Sequence, residues 1–555
     1  MSFTHPKLRG ILTLLNLLAR QSLLQTLPGA TAAAIPTDHQ YQRRQSGTCQ
    51  KTKVAILGAG ITGITVAQTL ANSGINDFII VEYKDEIGGR LHHENFGKGP
   101  DGKPLLVEYG ASWAQGLGTP GGKENPIWTL EKKWNISNTQ SDQSKILTYN
   151  ETGPVDFTSE IKEFEDAVSR MAAEAGELLV DNIQDRTLRE GLNHVGWKPN
   201  QRGYPQAADA VEWWQYDGEQ AYTPEETSLV FNMAVSNFTF KQFSNENNFV
   251  VDPRGHNTWV KGEASEFLTE TDPRLRLSTV VERIGHSGEG VVVVNKDGSC
   301  IEADYAVTTF SLGVLQHESA VSFEPALPDW KNVSIESFLI GTYTKIFMQF
   351  NETWWPTDIE YFLYADPVQR GWYPIWQSLD KEGFLPGSHV IFVTLTERES
   401  KRVERMTDAE TQAEAMAVLR SMFPEADVPE PTAFAYPRWG QTPWAYGCFS
   451  GWPAGTTLEQ HQNLRANVDR LWFAGEHTSA SYFGYMQGAW YEGRDVGGRL
   501  ARLVKGECTG EKERDGVCGE MVRYEVLHGT TEEEEYNIRN GWDGTSFHTN
   551  GLEKE

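Results

Sequence analysis

The sequence predicts an α/β protein with a discontinuous, Rossmann-like dinucleotide-binding domain and an α+β domain that binds the substrate. Three observations predict this fold class. A glycine-rich turn follows a buried strand near residue 57, strand-like segments return after residue 275 and again at residue 471, and 555 residues are too many for one hydrophobic core. We therefore expect two closely packed domains.

The glycine-rich turn has the pattern of a phosphate-binding motif. The apolar run 54–57 predicts a buried parallel strand, after which the candidate cofactor-binding residues are Gly58, Gly60, Ile61, Thr62 and Gly63. The first glycine makes the tight turn, the second lets the backbone approach a pyrophosphate, and the third packs the next helix against the sheet. The N–H groups and the dipole at the start of that helix then face the phosphates.

The second strand and the turn after it indicate which dinucleotide binds. Glu82 ends this strand, where its carboxylate can accept hydrogen bonds from both ribose hydroxyls. The sequence Gly88-Gly89-Arg90 follows. Nicotinamide dehydrogenases do not generally require a Gly-Gly-Arg sequence at this position, whereas in one large FAD family its arginine reaches the pyrophosphate. At this point the chain resembles the flavin-dependent amine oxidases, and the resemblance implies their fold and FAD as the cofactor.

A second motif near the C-terminus supports the same resemblance. The strand 471–473 leads to Gly475-Glu476-His477-Thr478, and the segment 484–489 follows. The strand would deliver Glu476 to the ribityl or pyrophosphate region, and the small residues at 488 and 489 start a helix whose N-terminus faces the flavin. The two motifs lie at opposite ends of the chain and serve one FAD, so their co-occurrence argues against chance.

The elements expected between these motifs define the domain boundaries. The FAD-binding domain is assigned to residues 51–129, 250–338 and 445–505, and the substrate-binding domain to 130–249 and 339–444. Strands are predicted at 275–284, 290–295, 303–309, 345–350 and 390–395, and helices at 157–193 and 408–423. Residues 506–555 are polar and end in an acidic run and a Gly/Asn-rich segment, so we expect a mobile tail.

Within the amine oxidases, residues 51–505 most resemble the secreted plant and fungal polyamine oxidases. The motifs that carry this resemblance are Val107–Trp113, Tyr343–Phe347, Phe449–Pro453 and Gly475–Ser479. It implies that Glu108 is the tunnel carboxylate facing the substrate amine, that Glu219 is its partner, and that Lys345 holds a water at flavin N5. It also implies that aromatic residues form the tunnel walls, namely Tyr343, Phe449 and Tyr485, and that Tyr485 also touches the cofactor. Val280 is expected to make a backbone contact on the adenine side.

The three charged candidates each have an ordinary structural alternative. Glu108 could be a strand-end acid, but an unpaired carboxylate would be costly to bury in its glycine-rich, apolar stretch. Lys345 would be unusual in a central strand without a partner, so function is favoured there too. Glu219 can equally be a solvated loop acid.

The implied reaction is the oxidation of a polyamine, spermine, spermidine or an N-acetyl derivative, with O2 as the second substrate. A neutral amine transfers a hydride equivalent to the flavin, and the products are an aminoaldehyde, an amine and hydrogen peroxide. Two alternatives stay open, namely another flavin amine oxidase acting on L-amino acids or monoamines, and a non-catalytic secreted flavoprotein. Glu108 argues against the first, and the presence of both Glu108 and Lys345 argues against the second.

Composition and the N-terminus bear on partners and location. With 76 acidic and 49 basic side chains the net charge is −27, which argues against nucleic acid as a partner and favours small cations or simple solubility. Residues 1–34 have the basic start, apolar run and small-residue cleavage site of a signal peptide, so we expect a secreted protein with no membrane span in its mature form. The sequons that suggest N-glycans are Asn135, Asn150, Asn237, Asn332 and Asn351.

The five cysteines do not form a disulfide scaffold. Cys508 and Cys518 enclose a short polar loop and could pair in an oxidising compartment. Cys448 resembles the cysteine through which monoamine oxidases tether the flavin, but the sequence around it follows the non-covalent polyamine oxidases. No set of cysteine and histidine has metal-ligand spacing, so no metal is assigned.

Overall fold

The computed structural model describes residues 49–181, 183–508, 521, 523–529 and 531. The expected signal peptide, residues 1–34, lies outside this part of the chain. All described residues belong to a single packed unit. The boundaries between the two expected domains therefore stay predictions.

Short strands account for much of the described chain. They are β1 Gln50–Leu57, β2 Phe78–Val81, β3 His93–Phe96, β4 Leu105–Glu108, β5 Trp113–Gln115, β6 Asn138–Gln140, β7 Ile146–Asn150, β8 Gly153–Pro154, β9 Asn247–Val250, β10 Leu275–Arg276, β11 Val281–His286, β12 Val291–Asn295, β13 Cys300–Thr308, β14 Ser322–Glu324, β15 Leu339–Ile340, β16 Tyr343–Gln349, β17 Tyr361–Ala365, β18 Ile375–Ser378, β19 Val390–Thr396, β20 Ala433–Ala435, β21 Ser450–Gly451 and β22 Leu471–Phe473.

Helices separate these strands. They are α1 Ile61–Asn72, α2 Pro126–Lys133, α3 Thr158–Val180, α4 Leu188–His194, α5 Pro205–Glu212, α6 Gly218–Gln220, α7 Leu229–Ser236, α8 Thr258–Ser265, α9 Leu312–Gln316, α10 Asp329–Glu336, α11 Glu397–Val403, α12 Asp408–Met422, α13 Leu458–Arg465 and α14 Met486–Lys505. Two π-helical turns, Trp213–Asp217 and Asn237–Lys241, continue α5 and α7.

The main sheet carries the glycine-rich turn at one edge. Its strand order is β10-β2-β1-β13-β12-β11-β14, and β22 pairs with the end of β13. The strands β10, β2, β1, β13 and β22 run parallel, so their carboxyl ends meet at one edge. The apolar run 54–57 in β1 and all of β2 are buried, as expected for parallel strands covered on both faces.

Two helices from opposite ends of the chain pack against each other beside this sheet. A Cβ on Gly493 of α14 would lie 2.8 Å from both Thr62 O and Thr65 Cβ of α1. Thr62 Oγ1 also donates a hydrogen bond to Ala489 O at 3.0 Å. The absence of a side chain at Gly493 therefore permits the close approach that joins the first FAD motif to the last.

The second sheet has seven strands in the order β20-β16-β19-β18-β17-β7-β8. It is antiparallel except between β7 and β17. The strands predicted at 345–350 and 390–395 are confirmed as β16 and β19, and the helix predicted at 408–423 is confirmed as α12. Lys345 lies in β16, so this sheet delivers one of the expected catalytic residues.

One expected strand is divided, and the helices expected at 157–193 are present. The segment 275–284 forms β10 and β11 instead of one strand, because Ser278 takes a φ of +51° and the chain turns back toward β2. The N–H groups of Ser278 and Thr279 donate to Lys84 O and Glu82 O, both at 2.8 Å. The expected helical region 157–193 forms α3 and α4.

Part of the expected mobile tail packs on helix α13. The N–H of Tyr524 donates to Asn463 Oδ1, and the N–H of His528 donates to Glu459 Oε2, both at 2.8 Å. Met521 is buried. These contacts place residues 521 and 523–529 against the described chain, and the mobility expected of the tail stays a prediction; most of the remaining tail lies outside the described residues.

A disulfide that the sequence analysis did not predict joins Cys49 to Cys300. It connects the start of β1 to the start of β13 across 251 residues. Cys508 is also disulfide-bonded, while Cys518, its expected partner, lies outside the described residues. Among the described helices, none is long and apolar enough to cross a membrane.

Candidate active site

A cavity of about 710 Å³ runs from the carboxyl edge of the main sheet to the face of the second sheet. The expected site residues on its wall are Gly58, Gly60, Ile61, Thr62, Glu82, Arg90, Glu219, Val280, Tyr343, Lys345, Phe449, Glu476 and Tyr485. Gly63 and Glu108 do not line it. The structure therefore brings residues from both sheets and both ends of the chain to one space.

The glycine turn leaves the start of helix α1 open toward the cavity. A Cβ on Gly63 would lie 2.0 Å from Gly58 O, and Gly58 has a φ of +116°, so both positions require glycine. Gly60, the N-cap residue of α1, forms no side-chain capping hydrogen bond. The first N–H groups of the helix are thus suited to a phosphate.

Glu82 is held at the end of β2 by the backbone on either side of it. Its Oε2 accepts from Ala59 N–H at 2.7 Å and its Oε1 from Lys84 N–H at 2.9 Å. Burial raises the pKa of Glu82, against the opposing effect of these two hydrogen bonds. Val280 lies on the same wall, next to Thr279, and its carbonyl accepts from Lys296 N–H at 2.9 Å. Both residues line the cavity, and Glu82 contacts the glycine turn; their contacts with a nucleotide stay predictions.

Arg90 and Glu476 join the two FAD motifs. Arg90 Nη1 donates to Glu476 Oε1 at 2.9 Å and to Cys448 O at 2.6 Å. Glu476 Oε2 accepts from Ser450 Oγ at 2.5 Å and from Gly484 N–H at 2.8 Å. Burial opposes ionisation of Glu476, but the Arg90 charge and these donors outweigh it and lower its pKa. A guanidinium has five N–H donors, so the contacts through Nη1 are compatible with a phosphate contact.

Lys345 is buried at the other end of the cavity. Its Nζ donates to Gly110 O at 2.6 Å, contacts Ser112 Oγ, and lies 5.5 Å from the centre of the Trp113 ring. Burial lowers the pKa of Lys345 to about 7, although the charge of Glu108 favours the ammonium form. The amine is therefore close to the point at which it changes charge near neutral pH.

Glu108 is not among the residues that line this cavity, and its expected contact with the substrate amine stays a prediction. Its Oε1 accepts from His256 N–H at 2.6 Å and lies 3.8 Å from His93 Nδ1. His256 also contacts Ala111 O at 2.9 Å and Glu131 Oε1 at 3.0 Å. The other oxygen of Glu108, Oε2, is buried without a hydrogen-bond partner, and the charge of Glu108 favours the ammonium form of Lys345.

Glu219 does lie on the cavity wall, in the short helix α6. Its Oε1 accepts from Gln115 Nε2 at 2.8 Å and from Tyr485 OH at 2.7 Å. Burial raises the pKa of Glu219, and these two donors oppose the rise. A carboxylate held by two donors beside a cavity can receive an ammonium group.

Gln115 is a wall residue that the sequence analysis missed. It lies in β5, two residues after Trp113, and both side chains line the cavity. Alternation along a strand places residues two apart on the same face. Extending the period-two pattern beyond Trp113 would have found it.

The expected aromatic residues form part of the wall between Glu219 and Lys345. The rings of Tyr343 and Phe449 lie 6.1 Å apart, and the ring of Tyr485 lies 6.3 Å from that of Phe240. All four residues line the cavity. Aromatic faces of this kind suit an alkyl chain that carries a positive charge.

Cys448 is the free cysteine of the described residues, and it also lines the cavity. Its Sγ accepts from Tyr343 N–H at 3.1 Å. Burial raises the pKa of this thiol. It is therefore protonated at neutral pH and behaves as a small buried side chain. Among the described residues, no group of side chains could hold a metal ion.

Comparison with known proteins shows the family of the chain. The family described as flavin containing amine oxidoreductase matches residues 61–500. The chain belongs to this family. Similar curated proteins of the family include polyamine oxidase 7 from Oryza sativa subsp. japonica, 37% identical over 80% of this chain and 93% of that protein, and polyamine oxidase 1 from Zea mays, 37% identical over 80% and 89%.

A solved structure shares the fold of this amine oxidoreductase. Wild-type putrescine oxidase bound to putrescine superposes with a TM-score of 0.64 over 82% of this chain and all of that one. The sequence identity is 16%, so this likeness concerns the fold alone. It confirms the predicted amine oxidase fold.

FAD is the cofactor of this amine oxidoreductase, and the residues at the main sheet fit it. The open start of α1 suits the pyrophosphate, Glu82 suits the ribose hydroxyls, and Arg90 and Glu476 lie where the two motifs meet. A side chain at Gly63 would not fit the turn. When bound, FAD supplies the acceptor for a hydride equivalent, while the chain supplies position and electrostatic field.

Proposed function

We propose that the chain oxidises polyamines, spermine, spermidine or their N-acetyl derivatives, and releases an aminoaldehyde, an amine and hydrogen peroxide. The observation that carries this proposal is Glu219, a carboxylate fixed by Gln115 and Tyr485 on the wall of the cavity that contains Lys345. One ammonium group of the substrate binds Glu219, and the alkyl chain lies along the aromatic wall.

The names of the similar proteins and the charge of the chain support a polyamine substrate. Polyamine oxidases of rice and maize are 37% identical over most of this chain. A net charge of −27 attracts small cations.

The cations on the wall do not suit an L-amino acid. Among the described wall residues they are Arg90, Lys296 and Lys345. Arg90 is bound to Glu476, Lys345 is bound to Gly110 O, and Lys296 lies beside Val280, which is assigned to the adenine side of the cofactor. An L-amino-acid oxidase needs a cation free to bind the substrate carboxylate, so an amine without a carboxylate fits better.

We assign Lys345 to the reacting end of the substrate. Its Nζ is held by one carbonyl and one hydroxyl, in a geometry that can also hold a water molecule. This water would serve in hydrolysis of the iminium product or in the step with O2. The resemblance to polyamine oxidases, in which the equivalent lysine holds a water at flavin N5, supports the assignment.

The test is peroxide release from a panel of amines under air. Spermine, spermidine and their N-acetyl derivatives should each be compared with benzylamine and L-leucine, using purified protein that carries FAD. Peroxide from at least one polyamine, and little from the other two compounds, is the expected result. Peroxide from L-leucine or benzylamine alone would overturn the proposal.

We also propose that the protein is secreted and carries N-glycans. The leader-like residues 1–34, the Cys49–Cys300 disulfide and the exposed sequons support an oxidising, secretory route. Asn135, Asn332 and Asn351 are exposed, whereas Asn237 is buried. Intact mass before and after glycosidase treatment should show glycans at some of the exposed sites and none at Asn237.

A further inference from the structure

A buried carboxyl lies directly behind the wall that the second sheet contributes. Glu360, just before β17, is 1% exposed. Its neighbour Tyr361, at the start of β17, and Gln377 of β18 both line the cavity. The roles assigned above to Glu219 and Lys345 do not involve this group.

Glu360 is connected to the cavity by a short chain of hydroxyl groups. Its Oε1 accepts from Ser141 Oγ and from Gln377 Nε2, both at 2.7 Å, and Ser141 Oγ lies 2.7 Å from Tyr361 OH. The other carboxyl oxygen, Oε2, is buried without a hydrogen-bond partner. Ser141 is bonded to Oε1, so Oε1 is the oxygen that a proton passed along this chain would reach.

The direction of these hydrogen bonds runs from the cavity to the carboxyl. A serine hydroxyl has one proton, and Ser141 donates it to Glu360. Its contact with Tyr361 must then be one in which the tyrosine donates. The lone pairs of the Tyr361 oxygen stay available to accept a proton from the cavity.

The surroundings of Glu360 suit a base that works near neutral pH. Burial raises its pKa to about 7, and the Ser141 donor and the charge of Lys381 only partly offset this. A general base is most effective when its pKa lies near the working pH.

An amine oxidase needs such a base. An alkylammonium with a pKa near that of lysine, about 10.4, is neutral in only about one molecule in 10³ at pH 7. The nitrogen next to the reacting C–H bond must lose its proton before a hydride equivalent can leave. Glu219 is assigned to another ammonium group of the substrate, and Lys345 is itself half charged near pH 7.

We propose that Tyr361, Ser141 and Glu360 form a proton relay that deprotonates the substrate ammonium. The inference rests on the proposed function, since it requires an amine substrate. An N–H bond of the ammonium breaks, each hydroxyl passes one proton on, and an O–H bond forms on Glu360. The proton leaves in the second half of the cycle, because a hydride equivalent, O2 and one proton together make H2O2.

The test is the pH dependence of flavin reduction, measured anaerobically by stopped flow with spermidine or spermine. Glu360→Gln keeps the shape of the side chain but cannot take the proton, and Tyr361→Phe breaks the chain at the cavity wall. Each should reduce the rate at pH 7 by about 10²-fold, the lower end of the usual range for acid–base catalysis. The difference from wild type should shrink toward pH 10, where the free amine is abundant.

Tyr364→Phe is the matched control. Tyr364 is buried in the same strand, β17, but does not line the cavity. This variant should keep the wild-type pH profile, and the flavin spectrum and Tm of all three variants show whether they are folded. If Glu360→Gln is unfolded, the pH profile of flavin reduction by Tyr361→Phe decides whether the relay operates.

The two proposals fail in different ways. If polyamines do not reduce the flavin of the wild-type protein, the proposed function is wrong and the relay falls with it. If they reduce wild-type flavin, and folded Glu360→Gln or Tyr361→Phe follows the wild-type pH profile, the relay alone is wrong.

Discussion

Glu219 and Glu108 are held by different partners. Glu219 lines the cavity and is held by Gln115 and Tyr485, whereas Glu108 accepts from the backbone N–H of His256 and is not among the residues that line the cavity. A carboxylate on the cavity wall is placed to bind a cationic substrate directly. The charge of Glu108 acts on Lys345.

Glu219→Gln should therefore weaken the productive binding of polyamines. A charge-assisted contact contributes about 1.5–3 kcal/mol, so kcat/KM for flavin reduction should fall roughly 10- to 150-fold. Glu108→Gln is the comparison, because it removes a carboxylate that does not line the cavity. A larger loss of kcat/KM in Glu108→Gln than in Glu219→Gln would contradict this assignment.

Lys345→Met should slow flavin reoxidation or iminium hydrolysis while FAD stays bound, because Lys345 is assigned to the reacting end and not to the nucleotide end.

The lowered pKa of Lys345, about 7, also affects the stability of the folded protein. Between pH 7 and about 10.4 the unfolded chain binds more protons at this lysine than the folded chain, so its contribution makes stability rise with pH. Reoxidation traces and Tm across this range test both points, and Lys345→Met protein that loses its flavin would refute the assignment.

The thiol of Cys448 is protonated and accepts a backbone hydrogen bond from Tyr343, so we expect non-covalent FAD. Acid denaturation should release the yellow colour into the supernatant, and Cys448→Ser should behave in the same way. Colour that stays with the wild-type pellet but leaves the Cys448→Ser pellet would show a covalent link instead.

Among the elements, the packing of α1 on α14 joins the two FAD motifs. Gly493→Ala would place a Cβ 2.8 Å from Thr62 O, and overpacking of this kind costs about 1–3 kcal/mol. Gly498→Ala, in the same helix but with nothing within 4 Å, should instead stabilise by about 0.5–1 kcal/mol. Urea unfolding measures both, and equal effects of the two substitutions would argue against close packing at Gly493.

Elements with a local pattern could be predicted from the sequence. The glycine turn, Glu82 and the segment before Glu476 each combine a buried strand with a turn, and the structure places them together at one edge of the main sheet. The role of Glu108 stays a prediction, because its short motif does not reveal which face of strand β4 is covered. Gln115 was missed because the matching motif ended at Trp113.

At the scale of the whole molecule, contacts between distant segments could not be predicted. Cys49 and Cys300 are 251 residues apart, and no spacing rule links them. The C-terminal segment packs on α13 through hydrogen bonds to Asn463 and Glu459. Hydrogen bonds of this kind produce no periodic pattern of hydrophobic residues that a sequence could reveal. The relay through Ser141 and Glu360 likewise joins residues that are 219 positions apart.

Whether the chain oxidises polyamines is tested most directly by anaerobic mixing of the purified, FAD-loaded protein with a panel of amines. Spermine, spermidine and their N-acetyl derivatives are compared with benzylamine and L-leucine, and bleaching of the flavin is followed in time. We expect fast bleaching by at least one polyamine, because Glu219, which lines the same cavity as Lys345, is proposed to hold an ammonium group. Fast bleaching by L-leucine or benzylamine, with none by any polyamine, would show that polyamines are not the substrates.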